Sequence, residues 1–150
     1  MIKIMTPLTN VDSSAQYALG TRGEDNAGNE YIYLKGVAST AVGSWVTFDE
    51  AHLTTLAVAD AQGRVAIAMG AFIADKYGWY QIYGSASGLA LTAFADNGKV
   101  YLTSTDGSVD DSDVAGDAII GAVGRSAVNE STLLATFELN YPMVQDLAID

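Results

Sequence analysis

The chain holds a single histidine, His52, and no cysteine, which narrows its possible chemistry at once. A serine nucleophile of the Ser-His-Asp kind would need His52 as its base. That residue follows Asp49 and Glu50 in a short polar stretch with no nucleophile motif beside it, and reads as a surface histidine. The run Gly84-Ser85-Ala86-Ser87-Gly88 has the glycine spacing of a nucleophile elbow, but Ala86 stands where the serine must be. Without cysteine there are no disulfides, thiolate metal ligands or thiol nucleophiles. Oxygen ligands are better represented, because Asp106, Ser108, Asp110 and Asp117 fall within twelve residues. Laid on a calcium loop, however, Asp111 takes the place of the required glycine, Asp117 that of the glutamate, and flanking helices are missing. A charged loop tip is the expectation there, with an irregular cation site as the alternative. Eighteen acidic residues allow many carboxylate pairs for glycoside-type hydrolysis, but no spacing singles one out. Gly121-Ala122-Val123-Gly124 lacks the third glycine and the downstream lysine of a phosphate-binding loop. These patterns point away from an enzyme, and neither a cofactor nor a metal is expected.

Aromatic residues offer a different kind of chemistry. Tyr77, Trp79, Tyr80 and Tyr83 cluster closely enough to build a sugar-stacking surface. On a strand, however, Trp79 and Tyr83 project one way and Tyr80 the other. Packing in a core and at an interface is therefore the expectation for this set.

Charge and composition bound the remaining classes. The formal net charge is −11 with only seven Lys and Arg, scattered singly. Nucleic-acid binding, which rests on cations at phosphates, is excluded on that ground. A solvated acidic exterior is expected, with docking on a basic partner as the alternative. Apolar residues make up 49% and charged residues 17%, the balance of a packed globular chain. No apolar run approaches the ~18 residues of a membrane span. Met-Ile-Lys-Ile-Met-Thr-Pro lacks the apolar core of a signal peptide, so a soluble protein made in the cytoplasm is expected.

The elements that must position these residues read as strands. No segment of ten or more residues shows 3.6-residue periodicity, while short alternating runs recur between Gly-rich turns. The expected fold is all-β: a compact antiparallel β-barrel or sandwich with extended terminal arms. Residues 1–18 form an amino-terminal arm that frays or lies along a neighbour, 19–142 a single β domain, and 143–150 a tail. Glu30 to Lys35 alternates, with Tyr31 and Tyr33 on one face and Ile32 and Leu34 on the other, so both faces need cover. Further strands are expected at 44–48, 54–59, 64–74, 79–84, 89–94, 100–103, 117–124 and 132–139, with one helical turn at 49–53. A bend is expected at Gly84–Gly88, a hairpin at Asp96-Asn97-Gly98-Lys99 that pairs 100–103 back, a solvated loop at 106–113, and a strand stop at Pro142. Composition predicts that 117–124 is buried on both faces.

The stretch Arg64 to Leu102 carries a family resemblance. Its parts are the small and aliphatic strand Val65 to Phe72, the turn Tyr77-Gly78-Trp79, and Gln81-Ile82-Tyr83-Gly84. Later come Ala115-Gly116-Asp117 and Ile119-Ile120-Gly121-Ala122-Val123, and upstream Leu19-Gly20-Thr21 to Tyr31-Ile32-Tyr33. Together these resemble the small β-rich capsid decoration, or cement, proteins of tailed bacteriophages. The resemblance covers roughly two-thirds of the chain; within residues 1–64 only that upstream hairpin fits it. It implies a non-enzymatic virion protein on the outer surface of the head, partnered by the major capsid protein and by its own copies, often as a homotrimer. It further implies head stabilisation by clamping neighbouring capsid subunits, with no direct nucleic-acid or membrane contact. On this reading Trp79, Tyr80 and Tyr83 are core or subunit-interface residues, and Ile2, Ile4 and Leu8 belong to a capsid-facing arm. A competing expectation is a glycan-binding β-module, lectin-like or receptor-binding, that uses Trp45 or Trp79.

Overall fold

The computed structural model describes residues 1–96 and 98–145. Its strands in chain order are β1 (Ile2–Lys3), β2 (Arg22–Glu24), β3 (Glu30–Lys35), β4 (Trp45–Phe48), β5 (Thr54–Leu56) and β6 (Gly63–Ala68). They continue as β7 (Tyr77–Leu89), β8 (Tyr101–Leu102), β9 (Val109–Asp110), β10 (Ile120–Gly124) and β11 (Leu134–Val144). Nine of them form one sheet in the order β1-β2-β3-β7-β11-β6-β4-β5, with β10 on β11, and β8 and β9 make a small second sheet. The β1–β2 ladder is parallel, which makes the large sheet mixed. The protein is all-β and sandwich-like. A single bridge between Lys35 and Leu53 brings the end of β3 near the start of β5, but among the described residues no ladder closes the sheet into a barrel.

Alternation along the strands divides the interior in three. Val65 and Ile67 of β6 face Trp45, Phe94, Phe137 and Leu139 in the largest cluster. Their neighbours Ala66 and Ala68 face Ile32, Leu34, Val46, Phe72, Tyr80 and Ile82 in the second. The third sits on the opposite face of β3 and β7, where Tyr31, Tyr33 and Trp79 pack with Ile4. Both faces of β3 are thus covered, and the amino-terminal residues cover one of them. Asp12 and Tyr77 exchange backbone hydrogen bonds at 3.0 Å each way. The Tyr33 hydroxyl donates to Asp12 Oδ2 at 2.6 Å, and the Tyr17 ring meets Tyr33 and Trp79 at centroid distances of 5.3 Å.

Strand β7 organises the sheet. Its first half lies between β3 and β6, and its second half pairs with β11. The handover falls at a bulge, where the register with β3 slips between Glu30 and Tyr31 and Gly84 adopts φ +98°. A side chain at Gly84 would run into Asn29 as well as strain the backbone. The buried Gln81 amide donates to the carbonyls of Tyr83 and Ser85 at 3.1 and 2.9 Å, satisfying groups at this irregularity.

Several local expectations are overturned. Gly84–Gly88 is strand, not a bend, because β11 from Ala135 to Leu139 pairs along it. Ser85 and Ser87 point to solvent while Ala86 and Gly88 are buried, and Gly88 is small because the Trp45 indole lies against it. Residues 49–53 form a turn with His52 at φ +63°, not a helical one. β8 pairs with β9 rather than with 89–94, so Val109, fully buried, belongs to the small sheet and not to a solvated loop. The tip of the expected hairpin at 96–99 includes Asn97, which lies outside the described residues. β10 buries Ala122 but leaves Ile120 and Val123 exposed, because among the described residues it forms a ladder only with β11 and its outer face is uncovered. β11 runs through Pro142, after which Met143 and Val144 pair with Arg64 and Gly63. The expected tail therefore begins as strand, and its residues 146–150 lie outside the described ones.

Candidate functional site

Among the residues whose types suggest catalysis, the fold separates rather than gathers. His52 packs its imidazole over Gly20, and Ser85 lies on the exposed face of β7. Asp117 is buried and accepts from the Asp60 amide at 2.8 Å, a structural tie between two loops. Asp111 accepts from the Ala95 amide at 3.0 Å, and Ser112 donates to Asp110 at 3.1 Å. Among the described residues, no three His, Cys, Asp or Glu side chains come together as metal ligands would.

The residues expected at contacts divide between core and surface. Ile4 and Trp79 meet in the aromatic layer, with Leu8 packed against its margin. Tyr80 is fully buried in the second cluster, and burial pushes its phenol well above the ordinary range. Its hydroxyl makes no hydrogen bond of good geometry, although it faces Thr40 and Thr54, whose hydroxyls already donate to the carbonyls of Val37 and Lys35. Ile2 is exposed in β1. Trp45 is buried completely and Trp79 nearly so, and neither indole offers a face to a sugar.

Tyr83 is the exception, and the fold gives it partners that strand alternation alone does not reveal. It is 38% exposed, and its ring lies 5.3 Å from that of Tyr141, itself 47% exposed, at 32° between planes. The Tyr141 hydroxyl donates to Glu30 Oε1 at 2.7 Å, across 111 residues of sequence. Arg22 donates to the same oxygen at 3.2 Å and places its guanidinium carbon 5.4 Å from the centre of the Tyr141 ring. The bond to Glu30, followed by partial burial, raises the Tyr141 phenol above its ordinary value, against the lowering effect of Arg22. Beside this group, Arg125 and Glu138 form an exposed ion pair at 3.1 Å.

Tyr141 also has φ +49° directly before Pro142. A left-handed, non-glycine residue costs about 1–3 kcal/mol and persists only where surrounding contacts impose it. Here the contacts are the Tyr83 ring, Glu30 and Arg22. No local sequence pattern signals this arrangement, since the partners come from β2, β3, β7 and β11.

Behind Tyr141 a cavity of about 170 Å³ opens where the strands around the second cluster end. Arg22 and Arg64 line it over an apolar floor of Ile32, Val65 and Ile82. The Arg64 guanidinium sits 4.6 Å from the centre of the Phe48 ring. A wider groove of about 490 Å³ continues from it, shares Phe48 and Arg64, and reaches Thr47, Thr55, Gln62 and Met143.

In comparisons with protein-family models, with curated proteins and with solved structures, nothing matches this chain.

Proposed function

We propose that the chain is a capsid decoration protein: a structural virion component that binds the outer surface of a tailed-phage head and stabilises contacts between major capsid subunits. The observation that carries this reading is the exposed Tyr83–Tyr141–Arg22 group, tied by ring contacts and the bond to Glu30 to the strands around the β7 bulge. Tyrosine and arginine are the residue types that dominate binding energy at protein interfaces. A preformed group of them has little side-chain entropy left to lose on docking. The β10 edge, with Ile120 and Val123 exposed, offers a second apolar strip. The resemblance of the central stretch to cement proteins supplies the class of partner.

The action is adhesive. Apolar burial contributes ~25 cal/mol per Å². Repeated engagement of a lattice by an oligomer, a trimer in this reading, multiplies modest single interfaces. The test is co-sedimentation of the purified protein with expanded shells assembled from the major capsid protein. Retention is expected, and the Tyr83→Ala, Tyr141→Ala double substitution should weaken it by about thirtyfold, the scale of an interface hot spot. Wild-type protein that stays in the supernatant would sink the reading.

A further inference from the structure

We infer that the cavity between Arg22 and Arg64 is a receptor for one carboxylate side chain of a peptide segment whose neighbouring residues are uncharged. Two of the chain's seven basic residues line this single hollow, in a protein of net charge −11. Arg64 has no acidic partner among the described residues, and its one contact of note is the Phe48 ring. Arg22 spends a terminal nitrogen on Glu30, while its Nε–H is buried with no acceptor. A carboxylate entering the cavity supplies the counter-charge that Arg64 lacks, in the planar geometry that suits a guanidinium. The floor of Ile32, Val65 and Ile82 suits the methylene stem that carries such a group.

Size and charge select the occupant. At about 170 Å³ the cavity is smaller than the ~300–1,000 Å³ of sites that enclose a whole small molecule. It fits a single side chain, and the adjoining groove of about 490 Å³ can take the residues on either side. Asp49 and Glu50 line that groove. Asp49 is held in its own turn by the amides of Ala51 and Leu53, and Glu50 is exposed. Both repel a second acid, so the segment carries one carboxylate between neutral residues. Strained Tyr141, tied to Glu30 and Arg22, forms the wall that separates this hollow from the Tyr83 surface.

This deepens the adhesive reading by naming the chemistry of the partner, and its test uses no shells, so the two ideas fail separately. A surface array of pentapeptides with Glu, Asp, Gln or Asn at the centre and Ala, Leu, Val or Phe at the flanks is probed with labelled protein. The best carboxylate peptide and its amide twin are then titrated by fluorescence anisotropy. Carboxylate peptides are expected to bind at least tenfold more tightly than their amide twins. Arg64→Gln should abolish the difference, and Arg64→Lys should restore part of it. An unchanged thermal melt for both variants separates this from misfolding. Equal binding of acid and amide peptides, a preference untouched by Arg64→Gln, or displacement by acetate with no peptide preference would each overturn the inference.

Discussion

Asp25 accepts four hydrogen bonds, from the amides of Ala27 and Asn29 at Oδ1 and from the Asn29 side chain and the Tyr31 hydroxyl at Oδ2. Partial burial opposes its ionisation, but these donors outweigh that effect and hold its carboxyl below the ordinary range. A depressed carboxyl contributes stability above its unfolded value, near ~4, and loses it as pH falls through the folded one. Asp25→Ala should cost about 1.5–3 kcal/mol at neutral pH, the net value of hydrogen bonds to a charged group. Asp25→Asn should flatten part of the acid limb in urea titrations between pH 5 and pH 3. Tyr33 has the opposite sign. Burial, then the bond to Asp12, pushes its phenol up to about 12. Its contribution is complete below the unfolded value, near ~10, and is lost as pH rises toward the folded one. Urea midpoints should therefore fall between pH 10 and pH 12, and Tyr33→Phe should shrink that fall without removing it, because burial raises Tyr31 and Tyr80 too.

At the level of elements, β7 sets the outcome, and Gly84 sets β7. Gly84→Ala meets both the positive φ and Asn29, and should destabilise by about 1–3 kcal/mol, the scale of overpacking. That corresponds to roughly 2–4 °C in Tm per kcal/mol for a chain of this size. Adding Asn29→Ala should recover the steric part but not the backbone part, a coupling that a double-mutant cycle in thermal melts would show. The same strand marks the limit of what the amino-acid pattern discloses. Glu30 to Lys35 is legible because every second residue tells the same story, and the need to cover both faces follows from it. Gly84–Gly88 is not legible, because glycine and serine favour turns locally while pairing to Ala135–Leu139 and the Trp45 ring above Gly88 decide otherwise. Ile120 and Val123 mislead for a related reason. Apolar residues announce a strand, but not whether another layer covers it. The Tyr83 surface was half legible, as an aromatic expected in a core or at a subunit interface. Arg22 and Tyr141 join it, and Arg64 the hollow behind it, only through the order of the sheet, which no local spacing encodes.

For the molecule as a whole, charge and topology matter most. With a net charge of −11, self-repulsion works against the compact state, and salt screens it over a Debye length of about 8 Å at 0.15 M. Raising sodium chloride from 10 to about 150 mM should therefore raise the urea midpoint, whereas the carboxylate peptide proposed above should bind less tightly over the same range. Opposite salt responses in one protein would distinguish global repulsion from the local attraction at Arg64. Topology adds an asymmetry between the two ends. β1 holds to the sheet by two paired residues at an edge, while β11 is hydrogen-bonded to β7 on one side and β10 on the other. Tension at the amino-terminal end therefore meets first a ladder of only two paired residues. Tension at the carboxyl-terminal end instead meets a strand paired on both sides. A tether at the carboxyl-terminal end would transmit tension into the sheet, and one at the amino-terminal end would act as a fuse.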